Sequence, residues 1–484
     1  MRRALSVHVA EVTATLAVSC LFLAVMSGHL QSIDGLVMWR QALSMTYHLS
    51  WSFVPPVWWG SVLTSSSRGV GASFQYVPAL FVFRFLPQYN PNQGNVYDLG
   101  LLYADRLYLL VGAPVWVVVT AAAAFLSGLT AKELTGSRRA ALWAIAFFSL
   151  GSPAFAASRG DTPQPLIALC WIAGLYASVL YRRSRKPVWL WIVAASLFYG
   201  VLVRPLEGSM LLIGALAILC LPAPLKSIRS AMAVGAAWVS AVLVTLATNW
   251  VRFGSPMNFG YRLGTPEASW TTPIWQGVPN ALISPGRGVL WEFPALILAV
   301  VGARWLWSHE RRVEVVALST MPVVLFIESC TFTDWVGGWD WGFRFFQPAL
   351  PLAAVLAGAG AIRLPRVWSP WAPALLLSAG LLWNVPAITT DILGGYGAAY
   401  QDGPANWRLE SFPLIGAWRY LQHVFPEHGT DGNAVDIVWF RATLVAGKAA
   451  LLPFVALLAS GLILWVRSIR LVAGDERDGE LVSS

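Results

Sequence analysis

Apolar runs of about twenty residues recur from one end of this chain to the other, nearly free of charge. A helix needs about 20 mostly apolar residues to cross the hydrocarbon core of a bilayer. Inside lipid no water satisfies the backbone, so open runs of this length must be helical. Only 12% of the 484 residues are charged and the mean hydropathy is +0.60, whereas a soluble chain carries about 25% charged residues. The runs fall near 8–28, 107–129, 139–157, 163–181, 188–203, 206–222, 230–248, 288–305, 313–330, 346–363, 370–390 and 445–467. The expected fold is therefore all-α, a polytopic membrane bundle of about twelve spans. The fifth and sixth runs are short and read as a hairpin that need not cross fully.

Lys and Arg concentrate on the cytoplasmic side of membrane proteins. With the N-terminus inside, the short inner turns hold Arg2 and Arg3, Lys132, Arg138 and Arg139, Arg182 to Lys186, Lys226 and Arg229, Arg304, Arg311 and Arg312, Arg363 and Arg366, and Arg467, Arg470 and Arg477. That is more than half of the 33 Lys and Arg. The +9 net charge is thus a matter of topology, and without a basic stripe or motif no nucleic-acid partner is expected. Both termini are expected to be cytoplasmic. The stretch 72–86 contains Pro78 and Arg84, and counting it as a span would invert every later loop. It reads as a helix lying at the outer surface. One membrane domain, 1–470, is expected, with long outer segments at 29–106, 249–287 and 391–444 and a charged, disordered tail at 471–484. The MRR start and AVSC at 17–20 invite a signal-peptide reading. The apolar run continues past Cys20 with no A-x-A site, so it is read as a retained first span.

The four cysteines lie in or at the ends of apolar runs with no CxxC, and the six histidines show no HExxH. Neither a structural disulfide nor a metal site is expected. Ionisable residues instead collect at the outer face, among them Asp34, Arg159, Asp161, Arg204, Glu207, Arg287, Glu292, Asp340 and Arg344. A transporter more often places such groups near the midplane. An enzyme acting from outside on a membrane-embedded substrate places them as seen here.

Four outer stretches carry candidate chemistry. In QSIDGLVMWRQALS at 31–44 an apolar run gives way to an amphipathic helix, with Leu36, Trp39, Leu43 and Tyr47 on one face and Arg40, Ser44 and His48 on another. Asp34 at its start is a natural N-cap. A capped carboxylate stays ionised and fixed, as a general base must be. RGDTPQP at 159–165 makes Asp161 a cap and turn, or a second acid beside Asp34. In SPGRGVLWEFP at 284–294, Arg287 between two glycines reads equally as a snorkelling span end or as a guanidinium fork for phosphate. TDWVGGWDWGFRFFQP at 333–348 offers Arg344 as a second phosphate ligand and Trp339 and Trp341 as sugar-stacking rings, against a plain interfacial belt. Arg204 and Glu207 in VLVRPLEG read as an ion pair closing the hairpin tip.

The order of SIDGLVMWRQALSM, SRGVGASFQYVPALF, NWVRFGSPMNFGY, SPGRGVLWEFP, GGWDWGFRFFQPALP and FPLIGAWRYL resembles the GT-C superfamily of membrane glycosyltransferases. The chain is most similar to the phospholipid-carrier-dependent enzymes related to protein mannosyltransferases (family 39). The resemblance implies a sugar donor carried on polyprenyl phosphate and an extracytoplasmic active site in a bacterial plasma membrane. It implies Asp34 as catalytic base, Asp161 as the second acid, and Arg287 and Arg344 as ligands of the carrier phosphate. Tyr261, Glu292, Trp339, Asp340 and Trp341 fall in the stretches that would hold the sugar or the acceptor. The acceptor class, a glycan, a lipid or a protein, is left open. The family often has an acidic pair in the first loop, but Gly35 follows Asp34. A divalent cation is therefore an option without support in the sequence, and no cofactor is assigned. Two alternatives stand beside the inverting transferase: a transporter or flippase for a lipid-linked sugar, and a non-catalytic assembly subunit of the same fold.

Overall fold

A computed structural model describes residues 8–27, 33–52, 57–59, 61–63, 69–83, 108–160, 162–221, 228–260, 269–333, 341–369, 371–389, 407, 415 and 437–483. All twelve apolar runs are helical, and the chain is a polytopic membrane helix bundle. Six described helices are long and apolar enough to cross a membrane: Leu110–Thr135, Gln164–Ser184, Ile228–Phe253, Arg312–Thr331, Trp371–Thr389 and Gly447–Gly474. The elements used below are α1 (Val9–Ala24), α2 (Ile33–His48), α3 (Val70–Phe74), α4 (Val77–Val82), α5 (Ala113–Thr135), α6 (Arg138–Ser149) and α7 (Ala154–Ala157). They continue with α8 (Gln164–Ser184), α9 (Pro187–Val203), α10 (Pro205–Cys220), α11 (Ile228–Phe253), α12 (Ile274–Ile283), α13 (Val289–Glu292) and α14 (Leu296–Ser308). The last five are α15 (Arg312–Thr331), α16 (Leu350–Ala361), α17 (Trp371–Thr389), α18 (Val438–Ala446) and α19 (Leu451–Ser483).

Three expected spans are broken by Gly and Pro. The 139–157 run stops at Ser149 and restarts as the four-residue α7, with Gly151 and Pro153 between. The 288–305 run splits around Pro294 into α13 and the 13-residue α14. The 346–363 run begins as a 3-10 turn, Arg344–Ala349, before the 12-residue α16. At 1.5 Å per residue such pieces reach only about 20 Å. Every residue of α16 is buried, so its apolar character serves protein packing rather than lipid contact. α9 and α10, 17 and 16 residues long, form the expected tight hairpin with Arg204 alone between them.

Other departures have local causes. The predicted helix at 72–86 is two short helices, α3 and α4, parted just before Pro78. Ala72, Tyr76 and Leu80 are fully buried, so the segment is seated in the bundle, while Phe81 to Phe83 stay exposed. Residues 57–59 and 61–63 pair as a minimal antiparallel hairpin, built from Val and Trp that favour extended backbone. The tail expected to be disordered continues helical to Ser483. Extending an existing helix needs no new nucleus.

Three of the basic turns predicted to share a side, at 132–139, 182–186 and 304–312, meet at one end of the bundle. There Lys132 pairs with Glu11 at 2.8 Å, Arg182 and Arg311 both pair with Glu314, and Arg183 pairs with Glu133. These residues sit at the start of α1, the end of α5, the end of α8 and the start of α15. Asp34, Arg204, Glu207, Arg287, Glu292 and Arg344 belong to the other end.

α14 and α16 cross with almost nothing between their backbones. A Cβ on Gly302 would overlap the carbonyl of Leu356, and one on Gly360 would overlap the carbonyl of Leu298. Small residues at such crossings let membrane helices pack by close van der Waals contact. Gly360→Ala is expected to force the pair apart at a cost of about 1–3 kcal/mol, read as a lower thermal midpoint of the detergent-purified protein. Gly474→Ala, whose Cβ meets nothing, serves as the neutral control.

Candidate active site

α2 is set by its aromatic face. Trp39 is 1% exposed and meets Tyr76 and Tyr108 edge-on, both at 5.2 Å between ring centroids. Each such pair contributes roughly 0.5–1.5 kcal/mol beyond burial. This clamp fixes Asp34 just over one turn upstream. Asp34 is not the cap that its spacing suggested: the helix already includes Ile33, and Asp34 lies within the first turn. The positive end of the helix dipole favours its ionised form there. The predicted polar stripe is only partly wet, since Ser44 is buried while His48 is exposed.

The carboxylate of Asp34 is 6% exposed as a residue and faces Arg344, with Arg344 Nη1 donating to Asp34 Oδ2 at 3.5 Å. The two positions are 310 residues apart. The Arg344 guanidinium also lies over the ring of Phe345, 5.3 Å from its centroid. Arg204 approaches the same ring at 5.8 Å. As predicted, Arg204 pairs with Glu207, Nε to Oε1 at 2.6 Å.

Arg344 is presented by a turn that two buried charges hold from behind. Arg287 Nη1 donates to the carbonyl of Gly342 at 2.5 Å, and Phe343 N–H donates to Glu292 Oε2 at 2.7 Å. Both Arg287 and Glu292 are 0% exposed. Gly342 has φ +73°, and a Cβ there would come within 2.6 Å of Glu292 Oε2. A left-handed residue without a Cβ is required at this point. Glu292, expected among the groups that hold the sugar or the acceptor, is buried here and its Oε2 accepts from the Phe343 N–H, so it braces this turn. Arg287, expected at the phosphate, is likewise closed to solvent here and engaged with the turn. Trp341, expected to stack on a sugar, is 1% exposed and packs near Trp383, 6.4 Å between centroids. Asp161, Tyr261, Trp339 and Asp340 lie outside the described residues. Among the described residues no three metal-ligating side chains gather.

The structure thus brings together Asp34 and Arg344 directly, and joins Arg287, Glu292 and Trp341 to the same turn. Sequence reasoning passed over Phe345, flanked by two guanidinium groups, and Glu328, whose Oε1 accepts from Trp270 Nε1 at 2.8 Å. The available signal for Glu328 was an acid in the last turn of an apolar helix, where the dipole opposes it.

No protein-family model matches the chain, and no curated protein matches it significantly. Solved structures do share its architecture. ArnT from Cupriavidus metallidurans bound to undecaprenyl phosphate aligns with a TM-score of 0.52 at 15% identity, over 99% of this chain and 79% of that one. The apo state of ArnT gives 0.53 at 16% identity, over 97% and 76%. The chain has a GT-C fold. A weaker likeness, TM-score 0.47 at 12% identity over 87% and 57%, links it to the apo oligosaccharyltransferase of Archaeoglobus fulgidus. Within this GT-C bundle the Asp34–Arg344 pair joins α2 near the start of the chain to the lead-in of α16.

Removing the brace should cost more than altering what it presents. Glu292→Ala leaves the buried Phe343 N–H without its acceptor, a loss of about 1–3 kcal/mol. Arg344→Lys keeps a cation opposite the buried Asp34 and loses only the long 3.5 Å guanidinium contact, a change of about 0–1 kcal/mol. Thermal midpoints of the two purified variants, compared with the parent, are expected in that order.

Proposed function

We propose that this chain is a membrane glycosyltransferase that moves a sugar from a polyprenyl-phosphate donor to an acceptor hydroxyl, with inversion, at the extracytoplasmic face of a bacterial plasma membrane. The observation that carries the reading is the pairing of Asp34 with Arg344 at one end of a GT-C fold. The ArnT structure of the same fold holds undecaprenyl phosphate, and a carrier of that class is the donor proposed here. The gathering of basic turns at the opposite end supports cytoplasmic termini and an outward site.

In the proposed step Asp34 takes the proton of the acceptor hydroxyl. The oxygen forms a bond to the anomeric carbon as the bond from that carbon to the phosphate oxygen breaks. The electron pair leaves on the polyprenyl phosphate. Arg344 stabilises that growing charge, and its guanidinium can span two phosphate oxygens. Arg287 would act with Arg344 on the carrier phosphate, and the contacts of Arg287 and Glu292 with the 342–343 peptide keep the turn that carries Arg344 in register. Asp161 would share the handling of the acceptor. The sugar-phosphate bond itself supplies the free energy, so no nucleotide is required.

The test is release of free polyprenyl phosphate from purified protein supplied with undecaprenyl-phosphate sugars and a panel of acceptors. Asp34→Asn removes the base and is expected to lower release about 10²–10⁴-fold. Arg344→Ala is expected to lower it about 10²–10³-fold, as for loss of one preorganised donor to a developing anion. Release at the parent rate in Asp34→Asn would remove the base assignment. Movement of intact donor across vesicles without release would favour the transporter.

A further inference from the structure

Beside the Asp34–Arg344 pair lies a second polar face to which the steps above assign no work. Two segments far apart in sequence form it. Thr333 N–H donates to Ser269 O at 2.8 Å and Thr272 N–H donates to Thr331 O at 3.0 Å, tying 269–272 to the end of α15. On this tie three hydroxyls sit side by side: Ser269 Oγ is 2.9 Å from Thr333 Oγ1 and 3.2 Å from Thr271 Oγ1, and Thr271 Oγ1 is 3.1 Å from Thr333 Oγ1. Thr271 and Thr333 are exposed. Trp270, 48% exposed, stands among them with its N–H committed to the Glu328 carboxylate at 2.8 Å.

An interfacial aromatic belt explains Trp275, the second residue of α12, which is 78% exposed. It does not explain Trp270. Holding a carboxylate in the last turn of an apolar helix opposes the dipole and costs solvation. Glu328 is moreover within electrostatic reach of Glu207, a like charge, as well as of Arg204. Stability alone would remove this acid. A half-exposed indole face, a fixed carboxylate and three hydroxyls are instead the groups that suit a pyranose, whose C–H face packs on an aromatic ring and whose hydroxyls both donate and accept.

The position selects which sugar. Trp270 meets Phe332 at 5.5 Å, Phe332 meets Phe345 at 6.0 Å, and Phe345 lies under Arg344. The face is continuous with the transfer site but two rings removed from the guanidinium that would hold the donor's phosphate. The donor's own sugar, bonded to that phosphate, stays beside Arg344. We propose that Trp270, Glu328 and the hydroxyls of Ser269, Thr271 and Thr333 form a subsite for a pyranose of the acceptor. The subsite's place as the acceptor's rests on the transferase reading; its affinity for a pyranose does not.

Saturation-transfer NMR on the full-length detergent-purified protein tests this with methyl glucoside, methyl mannoside and methyl galactoside as probes. Transfer to ring protons of at least one glycoside is expected in the parent and in Asp34→Asn. Trp270→Ala is expected to reduce it at least fivefold, Trp270→Phe to restore part of it, and Thr333→Val, a surface isostere, to weaken it severalfold. In Asp34→Asn the signal is expected to persist when undecaprenyl-phosphate glucose or mannose is added to saturation. Displacement by either donor would assign the face to the donor sugar and overturn the proposal. So would no transfer to any glycoside in the parent, or equal transfer in Trp270→Ala and Thr333→Val. Glycoside binding with no release of polyprenyl phosphate from any donor would fail the transferase reading and leave the pyranose site standing.

Discussion

A helix buried on every side has no solvent to satisfy its ends, so whatever leads into it must be held by protein. α16 is such a helix: all twelve of its residues are buried, and at Gly302 and Gly360 it touches α14 backbone to backbone. Its lead-in is the 3-10 turn that starts at Arg344. The candidate site is mounted on the entrance to a helix enclosed along its whole length. Any loosening of α16 would move Arg344 relative to Asp34. A site built on rigid elements and a held turn is the arrangement that keeps reacting groups in register.

The brace behind that turn is made of charge. Burying Arg287 and Glu292 costs several kcal/mol per ion before compensation. Apolar residues of similar volume would serve packing at least as well. What they would not supply is a donor aimed at the Gly342 carbonyl and an acceptor aimed at the Phe343 N–H. The two opposite charges meet on the two sides of one peptide group, the Gly342 C=O and the Phe343 N–H, and hold a left-handed glycine between Trp341 and Phe343. Departures from simple packing rules concentrate where function constrains the structure.

The span pattern was legible because twenty apolar residues have few other uses. The breaks at Gly151–Pro153 and Pro294 were visible as residues but were read through, since hydropathy does not separate burial in lipid from burial in protein. α16 is as apolar as the long crossings, yet all of its residues are buried in protein. For the site, Asp34 and Arg344 each stood out locally, as an acid at a helix start and a guanidinium in an aromatic loop. The resemblance put both in one site, but no spacing announced their direct pairing across 310 residues. Glu292 and Arg287 drew notice as oddly placed charges, but their use on backbone groups 51 and 55 residues away is set by tertiary structure. Asp34 as cap failed by two residues, since the helix is already running at Ile33, within the usual uncertainty of a helix start.

On the transferase reading, the Asp34–Arg344 pair also explains why such a site need not waste its donor. At 3.5 Å the contact is longer than the 2.7–2.9 Å of a strong charge-assisted hydrogen bond, so it can open without breaking a tight fork. A phosphodiester arriving at Arg344 would compete with Asp34 for the guanidinium and leave the carboxylate oxygen to face the acceptor hydroxyl. With the acceptor's hydroxyl held beside it rather than a mobile water, the proton taken is the one that leads to transfer.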